Sequence, residues 1–365
     1  MYVLDSLQIP SQKSLEVKAI WQALAEAHHY LAELKGLCES LPNSAILQDT
    51  LSIQEAKDSS EIENIITTHD ELFAYEQSSS SSAAAKEVQN YIAALRMGYQ
   101  DVMDTGLILL RTILRVQEAV EQNNVGLRKL PGTVLKNQTT GAVVYEPPQD
   151  AVLIQKLMAE LVDFIHAGSG QGNGQGNELD PLLRMAIAHH QFESIHPFYD
   201  GNGRTGRILN LLMLQREGLL DLPVLYLSRY ITSTKNQYYQ LLQSTRETGD
   251  WVDWCVYMVK GVALTAKSEI KLVKNLRDLM QVTKHRLRNE LPKIYSQELL
   301  NNLFRYPYTK IEFLEKDLGV SRITAAKHLD TLAANGFVEK KKIGRKNFYI
   351  NHPLFALLTQ ITLEE

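Results

Sequence analysis

The chain has 365 residues, of which 44% are hydrophobic and 22% are charged, and its formal net charge is −4. These values are ordinary for a globular protein and exclude a nucleic-acid binder that is basic overall, although a local basic patch stays compatible with them. The length suggests two or three domains.

The first 105 residues predict an N-terminal helical region. Apolar residues recur at helical spacing over 15–37 and again over about 46–71, and the pattern returns from Ala83. A run of serines over 78–82 favours a flexible connector. The chain begins without the basic and apolar segments of a signal peptide.

A cytoplasmic location is expected for two further reasons. Cys38 and Cys255 are far apart in sequence and lack the spacing of a metal site, so the simplest interpretation is two free thiols. No apolar stretch approaches the roughly 18 residues of a membrane span, so we expect no membrane partner.

After a further helix over 106–123, two short apolar runs predict a β-hairpin. The runs are Val134-Leu135 and Ala142-Val143-Val144-Tyr145, and the polar stretch 136–141 between them is typical of a turn. An ordinary surface hairpin is the alternative to a functional one.

Function is concentrated in residues 196–207, which read HPFYDGNGRTGR. Asp180 and Pro181 are typical of a helix start, and Pro197 disfavours helical geometry at the residue before it. Helical spacing resumes after the glycines. The stretch is therefore predicted as a tight loop between two helices, and backbone N–H groups at such a helix start form an anion site.

Three other interpretations of this stretch fail. The spacing of Gly201, Gly203 and Gly206 matches a dinucleotide fingerprint, but a helix precedes it where that fingerprint needs a strand. A P-loop pattern does not occur here. His189 and His190 have no zinc-site spacing, which favours buried structural roles for both.

The stretch matches H-x-F-x-[DE]-G-N-G-R-x-x-R at every fixed position and so resembles the signature of the Fic (Fic/DOC) family. The resemblance implies a mainly α protein: a Fic-type helical core over 106–285, with the hairpin as a flap over the active site. It also implies a protein adenylyltransferase, which moves AMP from ATP to a Ser, Thr or Tyr hydroxyl of a target protein. UMP, phosphocholine or phosphate transfer stays open, because other members catalyse these.

Roles follow from the resemblance position by position. His196 is implied as the general base, and Asp200 as the Mg²⁺ ligand. The ATP-binding residues are implied to be Gly201, Asn202, Gly203, Arg204, Arg207, Tyr238 and Tyr239. The glycines and the amide would cradle phosphates, the arginines would clamp the β and γ phosphates, and either tyrosine would lie near adenine or in the core.

A second motif lies N-terminal to the loop. Ser59, Glu63 and Asn64 match [ST]-x-x-x-E-[GN], which resembles the inhibitory motif that Fic proteins carry on a helix. Ser59 and Glu63 are predicted to share a helix face. Glu63 would pair with Arg207 and compete with the γ-phosphate, and in some relatives such a glutamate also positions water for AMP removal. A solvated helix turn is the alternative.

The stretch 295–358 resembles a winged helix. A helix over 322–335 follows Ser321 as its cap, and strands at 337–339 and 347–350 flank a basic wing. Such a module binds DNA or docks a protein partner. The alternative function is therefore a DNA-binding regulator with a Fic fold as a sensor. A homo-oligomer, in the simplest case a dimer, is also expected.

Overall fold

The computed structural model describes residues 4–39, 45–67, 82–136, 140–167, 179–343 and 346–359. Most of these residues are helical, and two small antiparallel sheets complete the fold, so the expectation of a mainly α protein is confirmed. The chain divides into two compact units. One contains Met1–Ala32 and Ser52–Thr265, and the other contains Glu33–Leu51 and Ala266–Glu365. The domain limits expected from the sequence stay predictions.

The helices before the hairpin form the first part of the described chain. They are α1 (Gln12–Leu15), α2 (Lys18–Glu39), α3 (Ala45–Ile62), α4 (Ala83–Thr105) and α5 (Leu110–Glu121). Ser82, the last residue of the predicted serine connector, caps α4 by accepting a hydrogen bond from the Ala85 N–H at 3.2 Å. The other serines of that run lie outside the described residues.

The helix predicted over 46–71 ends at Ile62, so the prediction is wrong for residues 63–67. The backbone turns after Ile62, because Asn64 adopts a left-handed conformation with φ of 63°. Residues 65–67 are not helical, and residues 68–71 lie outside the part of the chain that the structure describes.

The two helices that flank the motif loop lie at the centre of the first unit. In chain order the next helices are α6 (Ala151–His166), α7 (Pro181–Ile195) and α8 (Asn202–Arg216). As predicted, Asp180 caps α7, accepting from the Leu182 N–H at 2.9 Å, with Pro181 in the first turn. Helix α8 packs against α7, α4 and α5. Nearly every side chain of α7 and α8 is buried, including polar ones, which is unusual for core helices and locates the site.

Three helices follow: α9 (Leu227–Ser233), α10 (Lys235–Thr248) and α11 (Val252–Glu290). Helix α11 is a single long helix of 39 residues. Trp254 of α11 is fully buried, and its indole N–H donates to the Ala186 carbonyl at 2.8 Å. This bond joins α11 to α7 beneath the motif loop.

The predicted hairpin is present between α5 and α6. Strand β1 (Leu135–Lys136) pairs antiparallel with β2 (Val143–Tyr145), and Leu135 faces Tyr145 across the ladder. Val143 and Val144 are nearly half exposed. Residues 137–139 of the predicted turn lie outside the described residues, as does the glycine-rich stretch 168–178 before α7.

The C-terminal part of the second unit has the element order of a winged helix. It contains α12 (Gln297–Arg305), β3 (Tyr308–Thr309), α13 (Ile311–Leu318), α14 (Arg322–Ala334), β4 (Glu339–Ile343), β5 (Lys346–Ile350) and α15 (His352–Thr359). The three strands form an antiparallel sheet in the order β3-β5-β4. Ser321 caps α14, accepting from the Thr324 N–H at 3.3 Å. Rings of Tyr308 and Phe348 pack together in its core.

The first strand of the wing was predicted over 337–339. The structure places this strand slightly later, because β4 spans Glu339–Ile343. Lysines 340–342, expected in the loop of the wing, belong to β4 and pair with β5. Their side chains are exposed, so a lysine-rich strand is tolerated at this sheet edge. Among the described helices, none combines the length and the apolar character needed to cross a bilayer.

Candidate active site

The motif loop joins α7 to α8 through two left-handed residues, His196 with φ of 48° and Gly201 with φ of 75°. Asn202 holds the loop closed. Its Oδ1 accepts from the Phe198 N–H and its Nδ2 donates to the Phe198 carbonyl, both at 2.9 Å. The Asn202 side chain, expected to help cradle phosphates, is therefore used inside the loop. The N–H groups that open α8 are the groups left for an anion, because the first turn of a helix has no internal partners for them.

Arg128 fixes the unusual backbone of the loop and was not predicted from the sequence. Its Nε donates to the His196 carbonyl at 2.7 Å, and its Nη2 donates to the Pro148 carbonyl at 2.7 Å. Its own N–H donates to the Pro197 carbonyl at 2.8 Å. The guanidinium is fully buried. A non-glycine residue with positive φ is strained, and these three bonds hold His196 in that conformation.

The His196 ring has the protonation state of a base. Burial lowers the pKa of His196 to about 3, and the charges of Arg128 and Arg246 lower it further. The imidazole is therefore neutral at ordinary pH. Its buried Nδ1 has no hydrogen-bond partner among the described residues. A neutral imidazole with an uncommitted nitrogen can accept a proton from a hydroxyl.

A cavity of about 740 Å³ opens beside this ring. The loop forms one wall with His196, Asp200, Gly201, Asn202 and Gly203. Hairpin residues including Leu135 and Val144 form another wall, and residues of α10 close the third. The cavity therefore brings together the motif, the predicted flap and the tyrosine pair, which are distant in sequence.

Asp200 is exposed at the mouth of the loop. Its Oδ1 accepts from the Gly201 N–H at 2.8 Å. The negative charge of Asp200 contributes to raising the pKa of Glu121, for which burial is the larger cause. The loop therefore presents a carboxylate beside the start of α8, in acidic surroundings.

Arg204 is surrounded by carboxylates. Its Nε contacts Glu63 at 2.9 Å, Nη1 contacts Glu87 at 2.7 Å and Nη2 contacts Glu121 at 2.6 Å. The arginine is nearly fully buried and is absent from the residues that line the cavity. The sequence did not reveal Glu87 or Glu121 as its partners, since both come from distant helices whose patterns are ordinary.

Arg207 is held by the second motif. Its Nη2 donates to Glu63 Oε1 at 2.8 Å and to the Ser59 carbonyl at 2.9 Å, and its Nε donates to Ser59 Oγ at 2.7 Å. Glu63 therefore bridges Arg204 and Arg207. A β-carbon at Gly203 would lie 2.5 Å from Glu63 Oε1, so the glycine leaves room for this carboxylate.

Asn64 explains how Glu63 reaches the arginines. The Ile65 N–H donates to the Ser60 carbonyl at 3.0 Å and the Asn64 N–H to the Glu61 carbonyl at 2.9 Å. This pair of bonds is a Schellman motif with Asn64 in the left-handed position. The prediction that Ser59 and Glu63 share a helix face required both residues to lie within α3. Glu63 instead follows Ile62, the last residue of α3. Arg207 satisfies the Ser59 carbonyl, which the turn leaves without its usual partner.

Two buried carboxylates dock α3 onto α9. Glu55 accepts hydrogen bonds from the Ser228 N–H at 3.1 Å, from the Ser228 hydroxyl and from the Tyr91 hydroxyl at 3.0 Å. Asp58 pairs with Arg229 at 2.9 Å. Burial raises the pKa of Glu55 to about 7, although these hydrogen bonds oppose the shift. The contacts of Asp58 and Glu55, which lie about one and two helical turns before Glu63, therefore position the end of α3 that carries Ser59 and Glu63.

The two tyrosines predicted near the nucleotide both line the cavity but differ in exposure. Tyr238 is 2% exposed and its hydroxyl is hydrogen-bonded to His189 Nε2 at 2.8 Å, whereas Tyr239 is 47% exposed. His189 is buried against Trp254, and its Nδ1 lies 3.3 Å from the Gly206 carbonyl. His189 and His190 are both buried, which agrees with the structural roles predicted for them.

Two family models match this chain. The first is Fic/DOC family N-terminal, over residues 21–100. The second is the C-terminal domain of protein adenylyltransferase SoFic-like, over residues 279–354. Both descriptions name Fic proteins, and each model matches a different part of the chain. The resemblance inferred from the loop 196–207 is therefore confirmed.

Curated Fic relatives match over shorter stretches. Protein adenylyltransferase fic-1 of Caenorhabditis briggsae is 33% identical over 129 residues, which is 34% of this chain and 22% of the relative. The Caenorhabditis elegans protein of that name is 34% identical over 133 residues, which is 36% of this chain and 23% of the relative. The chain thus spans less than a quarter of the length of these relatives.

Solved Fic structures share the fold. A Fic family protein from Desulfovibrio desulfuricans G20 superposes with a TM-score of 0.57 and 20% identity, covering 92% of this chain and 96% of that one. A C. elegans Fic-1 fragment superposes with a TM-score of 0.53 and 20% identity, covering 71% of this chain and 74% of the fragment.

Proposed function

We propose that this Fic protein is an adenylyltransferase that moves AMP from ATP to a Ser, Thr or Tyr hydroxyl of a target protein, itself included. One observation carries the proposal: a complete motif loop brings a neutral histidine, an exposed carboxylate and a buried arginine to one cavity of about 740 Å³. The names of the curated relatives support AMP as the group transferred.

The phosphates of ATP bind against the first turn of α8. The N–H groups of Asn202 and Gly203 open this turn and would donate to the anion, whereas the Gly201 N–H already donates to Asp200 Oδ1 at 2.8 Å. The helix dipole favours negative charge at the same place. Arg207 lines the cavity and provides the planar donor for the γ-phosphate. Arg204 acts on the β-phosphate only from behind the cavity wall, since its nitrogens already contact three carboxylates.

His196 starts the reaction by taking the proton of the target hydroxyl. The hydroxyl oxygen then attacks the α-phosphorus, the bond from that phosphorus to the bridging oxygen breaks, and pyrophosphate leaves. The target keeps AMP as a phosphodiester, and the proton stays on the imidazole until solvent removes it. The low pKa of His196 in the free protein keeps the imidazole unprotonated, and the negative charge of bound ATP would raise that pKa towards the range of an effective base.

Mg²⁺ is the metal we propose with ATP. Asp200 presents a carboxylate beside the phosphate site, and Mg²⁺ prefers one or two carboxylates together with phosphate oxygens. Its chemistry would be charge neutralisation at the phosphates. Within the described residues no group of three or more His, Cys, Asp or Glu side chains is arranged to hold a metal without the nucleotide.

The hairpin is proposed as the docking edge for the target. It is a two-stranded sheet whose residues Leu135, Lys136 and Val144 line the cavity. An extended segment of the target can add to a strand edge by main-chain hydrogen bonds, which would bring its hydroxyl to His196 without a fixed sequence requirement.

Glu63 is proposed to inhibit transfer. It occupies Arg207 at 2.8 Å, and its carboxylate would repel a triphosphate at the same place. ATP would then bind with its α-phosphate turned away from the target hydroxyl. The proposal also includes the reverse modification, removal of AMP from a modified target. In that reaction Glu63 would hold the attacking water.

Intact-mass spectrometry tests the proposed function. The protein is incubated with ATP and Mg²⁺, alone and with a cell lysate, and the expected result is the added mass of one or more AMP groups. UTP and CDP-choline run in parallel distinguish the other transfers of the family. Absence of any adduct with the Glu63→Gly protein, in which Arg207 is released, would overturn the proposal.

The remaining parts of the proposal concern the surroundings of the protein. Both cysteines are buried and Cys255 is a free thiol, which fits a reducing compartment such as the cytoplasm. A homodimer is kept as a prediction. Size-exclusion chromatography with light scattering would measure the oligomeric state.

The winged helix is proposed as a module for a second partner, and DNA is the first candidate. Lys341 and Lys342 are exposed on β4, and Lys327 is exposed on α14. Arg322 on the same helix is instead paired with Glu312 at 3.2 Å and with Glu315 at 3.5 Å. The exposed lysines favour phosphate contact, whereas the paired arginine and the exposed Ile323 favour docking to a protein.

If DNA is the partner, full-length protein should shift a duplex at low salt, and affinity should fall steeply as salt rises. Lys341→Glu should weaken binding on every sequence, because phosphate contacts carry no sequence information. Lys293→Glu is the matched control, an exposed lysine before α12. A duplex that never shifts at low salt would exclude DNA and leave protein docking.

A further inference from the structure

Glu193 is a buried carboxylate that the reaction described above does not use. It lies on α7 one turn before His196 and is 9% exposed. It contributes to the wall of the cavity, yet its Oε1 has no hydrogen-bond partner among the described residues. Buried polar atoms are almost always paired, so an unpaired one at a cavity wall requires an explanation.

The surroundings of Glu193 leave room for the carboxylate. A β-carbon at Gly206 would lie 2.9 Å from its Oε1 and 3.0 Å from the Phe192 ring, so any larger residue at 206 would displace one of them. Burial raises the pKa of Glu193 to about 7, with Arg207 and Arg246 opposing the shift. Its Oε1 is therefore an acceptor without a donor among the described residues.

ATP can supply the missing donor only from its nucleoside. The phosphates accept hydrogen bonds and are repelled by a carboxylate, whereas the ribose 2′-OH, the ribose 3′-OH and the adenine N6 amino group donate. The neighbours of Glu193 fit the nucleoside end. Tyr238 and Tyr239 line the same cavity, and the charge of Glu193 contributes to the raised pKa of both hydroxyls, after burial.

We propose that Glu193 accepts a hydrogen bond from the nucleoside of the bound nucleotide and so selects a nucleotide with a donor at that position. The inference rests on the proposed function, since it takes ATP as the occupant. Glu193 lines the same cavity as Arg207 and the two tyrosines, so it is close to residues proposed for the phosphate end and for the base end of the nucleotide. Rotation about the last side-chain bond presents either carboxylate oxygen to the ligand.

Nucleotide binding tests the inference without requiring transfer. Titration calorimetry with Mg²⁺ compares ATP with 2′-deoxyATP, 3′-deoxyATP and purine riboside triphosphate, each of which lacks one donor. The parent protein is Glu63→Gly/His196→Ala, in which Arg207 is released and AMP transfer is slowed by about 10²–10⁴-fold. At a pH above the pKa of Glu193, where its carboxylate is ionised, we expect one of the analogues to bind about 10- to 100-fold more weakly than ATP, the value of a hydrogen bond to a charged acceptor.

Glu193→Ala in this parent should lower ATP affinity to that of the weakened analogue and remove the difference between them. Glu118→Ala is the matched control, an exposed glutamate on α5, and should change neither affinity. Should thermal unfolding show that Glu193→Ala is not folded, Glu193→Gln replaces it. Glutamine keeps the volume and loses the charge, so the ratio of ATP to analogue affinity should shrink.

The inference is overturned if all three analogues bind as tightly as ATP, or if removal of the Glu193 carboxylate leaves every ratio unchanged. These results are distinguishable from failure of the proposed function. A parent that binds no ATP would overturn both. ATP binding with the expected discrimination, but no AMP transfer by the Glu63→Gly protein, would overturn the proposed function alone.

Discussion

Replacement of His196 by alanine should slow AMP transfer by about 10²–10⁴-fold, the usual cost of removing a general base. The assay uses the Glu63→Gly protein, so that transfer by the parent is high, and measures AMP incorporation from labelled ATP. The effect follows from the neutral state of the His196 imidazole and from its uncommitted Nδ1. No other described imidazole lines the cavity, because His189 and His190 are buried behind it.

The backbone at residue 196 makes asparagine the better control for this change. His196 has φ of 48°, a left-handed conformation that asparagine tolerates better than alanine. His196→Asn should therefore keep the free energy of unfolding close to that of the parent while losing transfer to a similar extent. Transfer at the parent rate by either variant would remove His196 from the mechanism.

Replacement of Glu63 by glycine should raise AMP transfer by roughly 10-fold or more, if the form with Arg207 released is a tenth or less of the population. The structure indicates which arginine is affected. Arg204 keeps Glu87 and Glu121 when Glu63 is lost, whereas Arg207 has Glu63 as its one carboxylate partner among the described residues. The gain should therefore appear mainly as productive binding of the triphosphate.

Three comparisons make this experiment specific. Glu61→Gly changes a half-exposed glutamate of the same helix end and should leave transfer unchanged. Ser59→Ala removes only the hydroxyl that accepts from Arg207 Nε, so it should raise transfer less than Glu63→Gly. Glu63→Gly/His196→Ala should lose the gain. Equal incorporation by wild type and Glu63→Gly would contradict inhibition by Glu63.

The sequence was most informative where function depends on residues close together in the chain. The loop 196–207 was predicted between two helices because proline, glycine and capping signals are local. The motif pairing of Glu63 with Arg207 was predicted from the resemblance, and the two groups lie 2.8 Å apart in the structure. The catalytic and ATP-binding roles stay predictions until they are measured.

The sequence was least informative about partners that the fold brings from elsewhere. Arg128 contacts the carbonyl of His196 across 68 positions of sequence, and Glu87 contacts Arg204 across 117. No periodicity in either segment distinguishes these side chains from exposed ones. A lone arginine just before the hairpin, with no acidic residue beside it, was the only available sign of Arg128.

The helix end at Asn64 couples two neighbouring positions of the chain. A carboxylate that leaves a helix through a Schellman turn has to be followed by a residue that accepts the left-handed conformation, which costs other residues roughly 1–2 kcal/mol. A β-branched residue at position 64 would therefore destabilise this turn and increase activity without replacing a charged residue, and it would also remove the amide oxygen that accepts from Lys235 Nζ at 3.1 Å. Variation at this uncharged position would therefore change the fraction of the protein in which Glu63 is paired with Arg207.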